Sequence, residues 1–185
     1  MQTAIDFALI IIQNLVFQNL LGLSPAAVSV KNGKGLFRLG VMTLLFCTVS
    51  AGMTAVVRPL IPSGYQKLLF PLCNALICGI LCLIFTVICR FSKLLRRFVI
   101  PQIYYAACSS AVLGAVLLST DYTHDIPVAF RYGFRCGIGY LVVCLMLKMA
   151  APLLYSKQMP RAVRGWKGLL LYAGVLSMAA ACLFP

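Results

Sequence analysis

The first apolar segment of the chain ends in the sequence Asn14-Leu-Val-Phe-Gln-Asn-Leu-Leu-Gly-Leu-Ser24-Pro25. A counterpart, Cys108-Ser-Ser-Ala-Val-Leu-Gly114, lies inside the fourth apolar segment. Each is a short polar or helix-breaking interruption within an apolar run of membrane length. Lipid offers backbone groups no hydrogen-bond partners, so such breaks are tolerated only where protein or a cavity surrounds them. Corresponding breaks in two halves of a membrane protein indicate a functional midpoint.

The composition is typical of a polytopic membrane protein. Of the 185 residues, 62% are hydrophobic and only 10% are charged, whereas about a quarter are charged in ordinary soluble domains. The mean hydropathy is +0.99. The chain carries 16 Lys and Arg against 3 Asp and Glu. These basic residues lie mostly between apolar runs, which favours loops facing anionic lipid over nucleic-acid binding.

The apolar runs predict an all-α fold with six transmembrane helices in a single transmembrane domain, 1–185. Spanning helices need about 20 apolar residues, and the predicted segments are about 4–23, 36–57, 68–89, 99–119, 127–155 and 168–184. The breaks fall in the first and fourth segments. Repeats of about 1–95 and 96–185 each contribute an odd number of spans, so their orientations are opposite. We therefore expect two inverted three-helix repeats.

Loop charge predicts the topology. Basic residues follow segments one, three and five: Lys31, Lys34, Arg90, Lys93, Arg96, Arg97, Lys157, Arg161, Arg164 and Lys167. The positive-inside rule places these loops in the cytoplasm and both termini outside the cell membrane. The N-terminus has Asp6 instead of a basic region before its apolar run, which favours a retained helix over a cleaved signal.

The remaining polar residues favour structural roles. The amides Gln13, Asn14, Gln18 and Asn19 are typical of interhelical hydrogen bonding. Arg131 and Arg135 are expected to extend their side chains to the membrane–water interface. The only histidine, His124, is expected to be solvated. Most cysteines are expected to pack as small apolar residues, and Gly137-Ile-Gly139 as a close helix contact. No residue set predicts hydrolysis, nucleophilic catalysis, nucleotide binding or a metal site.

Three motifs resemble those of the Rnf A/E and Nqr D/E membrane subunit family, most closely the Rnf A or Nqr E side. They are Asn14 with Leu-Leu-Gly22-Leu-Ser24-Pro25, Ser110-Ala-Val-Leu-Gly114, and Arg164-Gly165 before the last helix. The resemblance covers nearly the whole chain. It implies an integral membrane subunit of an ion-translocating electron transport complex, at most a non-catalytic part of the translocase. It also implies a homologous subunit paired around a pseudo-two-fold axis and a 2Fe-2S cluster near the midplane, to which each chain gives two cysteines.

This chain departs from the family at the aligned ligand positions, which are Ser24 and Ser110. Clusters are held by thiolates because soft sulfur matches the iron, and a serine hydroxyl is a harder donor. Cys108 precedes Ser110 by two residues and on a helix lies roughly 200° away, so it is a shifted ligand only if the register changes. We therefore expect no cofactor bound through these positions, in a divergent member of the family. The break and packing positions expected to be kept are Asn14, Gly22, Pro25 and Gly114.

Two other functions fit the sequence. Size, helix count and basic loops match a small six-helix substrate-binding component of a vitamin transporter of the energy-coupling-factor type, although the paired breaks argue against it. A membrane scaffold without a redox role fits the serine replacements. A small ligand bound to the purified protein would favour the transporter component. The scaffold would be favoured if removal of this chain prevented assembly of its partners without the loss of any species that the chain carries.

Overall fold

The computed structural model describes residues 22–29, 33–60, 66–91, 93–122, 126–156, 159–160 and 163–183. Within these ranges every regular element is helical. The α-helices are α1 (Leu23–Ser29), α2 (Gly33–Val57), α3 (Gln66–Phe91), α4 (Lys93–Ala107), α5 (Ser110–Tyr122), α6 (Ile126–Leu154) and α7 (Trp166–Leu183), with a 3-10 turn at Arg58–Leu60. The predicted roles of Gln13, Asn14, Gln18, Asn19 and His124 fall outside the described residues.

Three described helices are long and apolar enough to cross a membrane. Their spanning portions are Gly35–Val57, Pro71–Arg90 and Ile126–Leu154. A fourth span is formed if the bent pair Ile100–Ala107 and Ser110–Ser119 counts as one crossing. The apolar part of α7, Trp166–Ala179, is shorter. The described part of the chain is therefore a helical, multi-pass membrane protein.

Two helices differ from the sequence-based expectation. The first predicted segment ends near Leu23 and the second begins near Leu36, and between them the structure has a further short helix, Leu23–Ser29. Pro25 is tolerated there because the backbone N–H groups of a first helical turn have no intrahelical acceptor. The basic stretch after segment three was expected to be a connector before a helix beginning near Val99. Instead α4 begins at Lys93, because Leu94 and Leu95 continue the apolar pattern between the basic residues.

The packing centre of the fold is the α2–α6 pair, which makes the most extensive interhelical contact among the described elements. Two glycines on one face of α6 allow it. A Cβ added at Gly137 would lie 2.7 Å from Leu44 Cα, and one at Gly133 would lie 2.6 Å from the Cys47 carbonyl oxygen. Small residues let helix backbones approach closely in membranes, where no hydrophobic effect drives association. The expected glycine contact in segment five is thus present at Gly137, with Gly133 one turn earlier.

A polar cluster joins α2 to α3 inside this apolar frame. The Ser50 hydroxyl donates to Asn74 Oδ1 at 2.6 Å, and Cys78 Sγ lies 3.7 Å from the same oxygen. Ser50 and Asn74 are both buried. On the opposite side, α3 exposes large apolar side chains, which is the expected surface for a lipid-facing helix. They are Leu72, Leu76, Ile80, Leu83, Ile84, Val87 and Ile88.

Candidate functional site

The second break separates α4 from α5 at Cys108 and Ser109, where the helix axes bend by 45°. Ser109 explains how the chain tolerates the interruption. Its side-chain oxygen accepts from the Ala111 N–H at 3.3 Å, and its carbonyl accepts from the Val112 N–H at 3.1 Å. A serine that satisfies the first N–H groups of a helix in this way is a good N-cap. The break predicted at Ser109-Ser110 is therefore present, and it begins a new helix.

The first break is a turn at Gly22, whose φ is +81°. Residues with a Cβ rarely adopt this conformation, so glycine suits the position. Two side chains from the second half hold the turn. The Gly22 N–H donates to Ser110 Oγ at 2.9 Å, and the Tyr140 hydroxyl donates to the Gly22 carbonyl at 3.1 Å. Both backbone groups of this residue are thus satisfied within the protein, as lipid surroundings require.

The two breaks lie in direct contact. A Cβ added at Gly22 would lie 2.7 Å from the Tyr140 ring atom Cε2, 2.9 Å from Ala111 Cβ and 3.2 Å from Ser109 Oγ. The turn is therefore seated against the start of α5 and the face of α6 that carries Tyr140. Sequence reasoning selected both breaks but missed Tyr140, which is 1% exposed. The only feature of the sequence that could have pointed to Tyr140 was its hydroxyl group in the middle of an apolar helix.

The sequence-predicted site residues are distributed over two cavities. Ser24 is exposed, and with Cys108 it lines a cavity of about 250 Å³ that also borders Pro25, Val28 and Tyr105. Ser110 lines a larger cavity of about 720 Å³ between α3, α4 and α5, again together with Cys108. Cys108 is the residue common to both. Gly114 is buried one turn into α5.

The larger cavity is mostly apolar, with a few polar groups and thiols. It is lined by Asn74, Ala75, Cys78, Gly79, Cys82, Leu83, Tyr104, Ala107, Cys108, Ser109, Ser110 and Leu113. Asn74 connects it to the polar cluster between α2 and α3. No group of three or more His, Cys, Asp or Glu within the described ranges is arranged to hold a metal ion.

The sequence resemblance predicts cluster ligands at Ser24 and Ser110, whose hydroxyl groups are poor donors for cluster iron. Ser110 Oγ accepts the Gly22 N–H, so ligation would remove the acceptor of a backbone group. Ser24 borders a different cavity. Iron–sulfur clusters require soft thiolate donors, and the thiols near the breaks are Cys108 together with Cys78 and Cys82, which line the larger cavity. Ser110 thus joins the two breaks through its hydrogen bond with Gly22, and Cys108 is the thiol that borders both cavities.

The last helix is tied to α6 by the motif Arg164-Gly165. The Gly165 N–H donates to the Leu154 carbonyl at 3.1 Å, and φ at Gly165 is +81°. The Arg164 guanidinium donates to the Tyr155 carbonyl at 3.4 Å. These contacts satisfy carbonyl groups at the end of α6, as C-terminal caps do.

Comparison with known proteins gives a match along almost the whole chain. The family described as Rnf-Nqr subunit, membrane protein, matches residues 3–184. RnfA of Histophilus somni strain 2336, named as part of an ion-translocating oxidoreductase complex, is 26% identical over 95% of this chain and 94% of its own length. The protein of the same name from Pectobacterium carotovorum is 26% identical over 93% and 90%. That of Psychromonas ingrahamii is 22% identical over 92% and 90%.

Proposed function

Because this chain belongs to the Rnf-Nqr subunit family of membrane proteins, we propose that it is an integral membrane subunit of an ion-translocating oxidoreductase complex. The observation that carries the proposal is the family match over residues 3–184. The relatives named above are subunits of such a complex, and this chain spans almost their full length. The hydrogen bond between Gly22 and Ser110 supports a common site for the two breaks.

The functional site of this subunit, in our proposal, is the junction of the two breaks. Ser24, Cys108 and Ser110 surround it, and Gly22, Pro25 and Gly114 shape the backbone around them. Irregular backbone inside a membrane protein is found where it lines a cavity or a site. Both cavities at the junction include Cys108. This position suits a subunit that contacts a carrier or a partner at the depth where its helices are interrupted.

We further propose that this subunit has no iron–sulfur cluster of its own. A serine ligand must lose a proton of much higher pKa than a thiol, and Ser110 Oγ is already an acceptor for backbone. Two such ligands disfavour a stable cluster. Hydrogen bonds still hold the two breaks together in this chain. Electrons carried by the complex pass through other subunits or through a cofactor that a partner holds.

The topology that fits this role has six spans in two inverted three-helix repeats. Both termini lie outside the cell membrane, and loops one, three and five are cytoplasmic. The basic residues at Arg90, Arg164 and Lys167 support this arrangement through the positive-inside rule. A homologous subunit completes a pseudo-symmetric pair in the complex.

The deciding experiment measures iron and acid-labile sulfide in the anaerobically purified complex, together with visible and paramagnetic-resonance spectra. Three forms are compared: the wild type, Cys108→Ala, and Ser24→Cys combined with Ser110→Cys. The proposal predicts that Cys108→Ala leaves the iron content unchanged. It also predicts that the double variant gains iron if the homologous subunit supplies the remaining ligands. A cluster signal that Cys108→Ala removes would show that a shifted thiol ligand keeps the redox role.

Membership of the complex is tested separately. Deletion of this chain should abolish ion uptake driven by electron donors in membrane vesicles, and the wild-type chain should restore it. Full uptake in the deletion strain, with the remaining complex assembled, would contradict the proposed function.

A further inference from the structure

The Tyr140 hydroxyl group lies where α6 meets the first break. It donates to the Gly22 carbonyl at 3.1 Å, across 118 residues of sequence. The same hydroxyl lies close to the side chains of Thr43 on α2 and Cys144 on α6. Groups from three elements therefore meet at one side chain that is 1% exposed. A hydroxyl placed in this way fixes a backbone turn more firmly than apolar packing alone, because hydrogen bonds are directional.

The ring of Tyr140 acts together with its hydroxyl. Its Cε2 atom occupies the space next to the Gly22 Cα, where an added Cβ would come within 2.7 Å. On the other side of the turn, Ser110 Oγ accepts the Gly22 N–H at 2.9 Å. The turn is thus held between α5 and α6, and neither helix alone satisfies both of its backbone groups.

From this geometry we propose that Tyr140 is a positioning residue of the two-break junction. Its hydroxyl sets the depth of the Gly22 turn and, through the first turn of α1, the position of the Ser24 side chain relative to Cys108. Ser24 follows Gly22 by two residues and borders one cavity with Cys108, so movement of the turn changes their separation directly. The inference rests on the proposed function only for the importance of the junction; its geometry is tested without any electron or ion assay.

The test uses the assembled complex in membranes and the variant Ser24→Cys, which places a second thiol at the cavity that contains Cys108. Mild oxidation in the presence of a chelator forms a disulfide between the two thiols, and peptide mass spectrometry measures its initial rate. We expect Tyr140→Phe to slow this rate by about fivefold, the change that corresponds to loss of one neutral hydrogen bond. Tyr172→Phe is the matched control, since it removes the same group from α7, and it should leave the rate unchanged.

A merely structural role gives a different result. If Tyr140 only stabilises the fold, Tyr140→Phe lowers the thermal midpoint of the complex but leaves the disulfide rate of the folded protein at the Tyr172→Phe level, which overturns the proposal. Tyr140→Leu, which also removes the ring, should slow the rate further; if it does not assemble, the Tyr140→Phe result stands alone. A slowed rate in a complex whose ion uptake is independent of this chain would retain the positioning role and reject the proposed function.

Discussion

The backbone N–H of Gly22 donates a 2.9 Å hydrogen bond to the side-chain oxygen of Ser110, although 88 residues separate them in sequence. This bond joins the turn before α1 to the start of α5. Ser110 is also one of the two positions at which the sequence resemblance predicts a cluster ligand. Here the side chain at that position serves the protein backbone, so its replacement is expected to affect the fold before it affects any bound group.

Substitution of Ser110 by alanine should destabilise the junction. It leaves the Gly22 N–H without its acceptor in a partly buried place, and an unsatisfied donor costs about 1–3 kcal/mol. Thermal unfolding of the purified complex in detergent measures the loss. Ser110→Thr, which keeps a hydroxyl group, is the control. A midpoint for Ser110→Ala equal to that of the wild type would show that the hydrogen bond contributes nothing to stability.

Two glycines with the same φ of +81° provide a matched pair. Gly22→Ala combines backbone strain with contacts of 2.7 Å to Tyr140 Cε2 and 2.9 Å to Ala111 Cβ, whereas an added Cβ at Gly165 meets only Tyr155, at 3.5 Å. Strain alone costs about 1 kcal/mol, and overpacking adds about 1–3 kcal/mol. Gly22→Ala should therefore lower the thermal midpoint clearly more than Gly165→Ala. Equal shifts would mean that the junction is loosely packed.

The α2–α6 contact predicts a second glycine effect. Gly133→Ala places a Cβ 2.6 Å from the Cys47 carbonyl oxygen, which belongs to helix backbone and can move only with α2. We expect a loss of about 1–3 kcal/mol and reduced accumulation of the assembled complex. Gly174→Ala on α7 is the control, because its added Cβ meets nothing within 4 Å. Better helix propensity should make that control neutral or slightly stabilising. The measurement is the amount of folded protein obtained for each variant. Equal amounts for Gly133→Ala and Gly174→Ala would contradict the prediction.

The polar cluster between α2 and α3 predicts a small effect. Ser50→Ala removes the 2.6 Å hydrogen bond to Asn74 Oδ1. Interhelical hydrogen bonds in membranes contribute about 0.6 kcal/mol on average, so the thermal midpoint should fall only slightly. A double-mutant cycle with Asn74→Leu isolates the pairwise contribution. A coupling energy several times larger would indicate that the cluster has a role beyond helix packing, for example at the cavity that Asn74 lines.

The sequence predicted the positions of helices and breaks better than it predicted which of them contact one another. Ser109-Ser110 is recognisable as a break because serine caps helices, and α5 does begin there. The long helices α2, α3 and α6 are recognisable because lipid demands unbroken apolar runs. By contrast, Leu23–Ser29 resembles a loop because Ser24 and Pro25 interrupt it, and its helix depends on tertiary contacts. The pairing of Gly22 with Tyr140 depends on how α6 is rotated, which no local pattern encodes.

The glycine contact between α2 and α6 has a mechanical consequence. These helices belong to different halves of the chain, and at Gly133 and Gly137 the packing brings side chains of one helix against backbone of the other. Rigid-body rocking of one half against the other, common among inverted-repeat transporters, would have to separate this backbone contact. We therefore expect α2 and α6 to move as one unit, and any relative movement of the described helices to take place outside this pair.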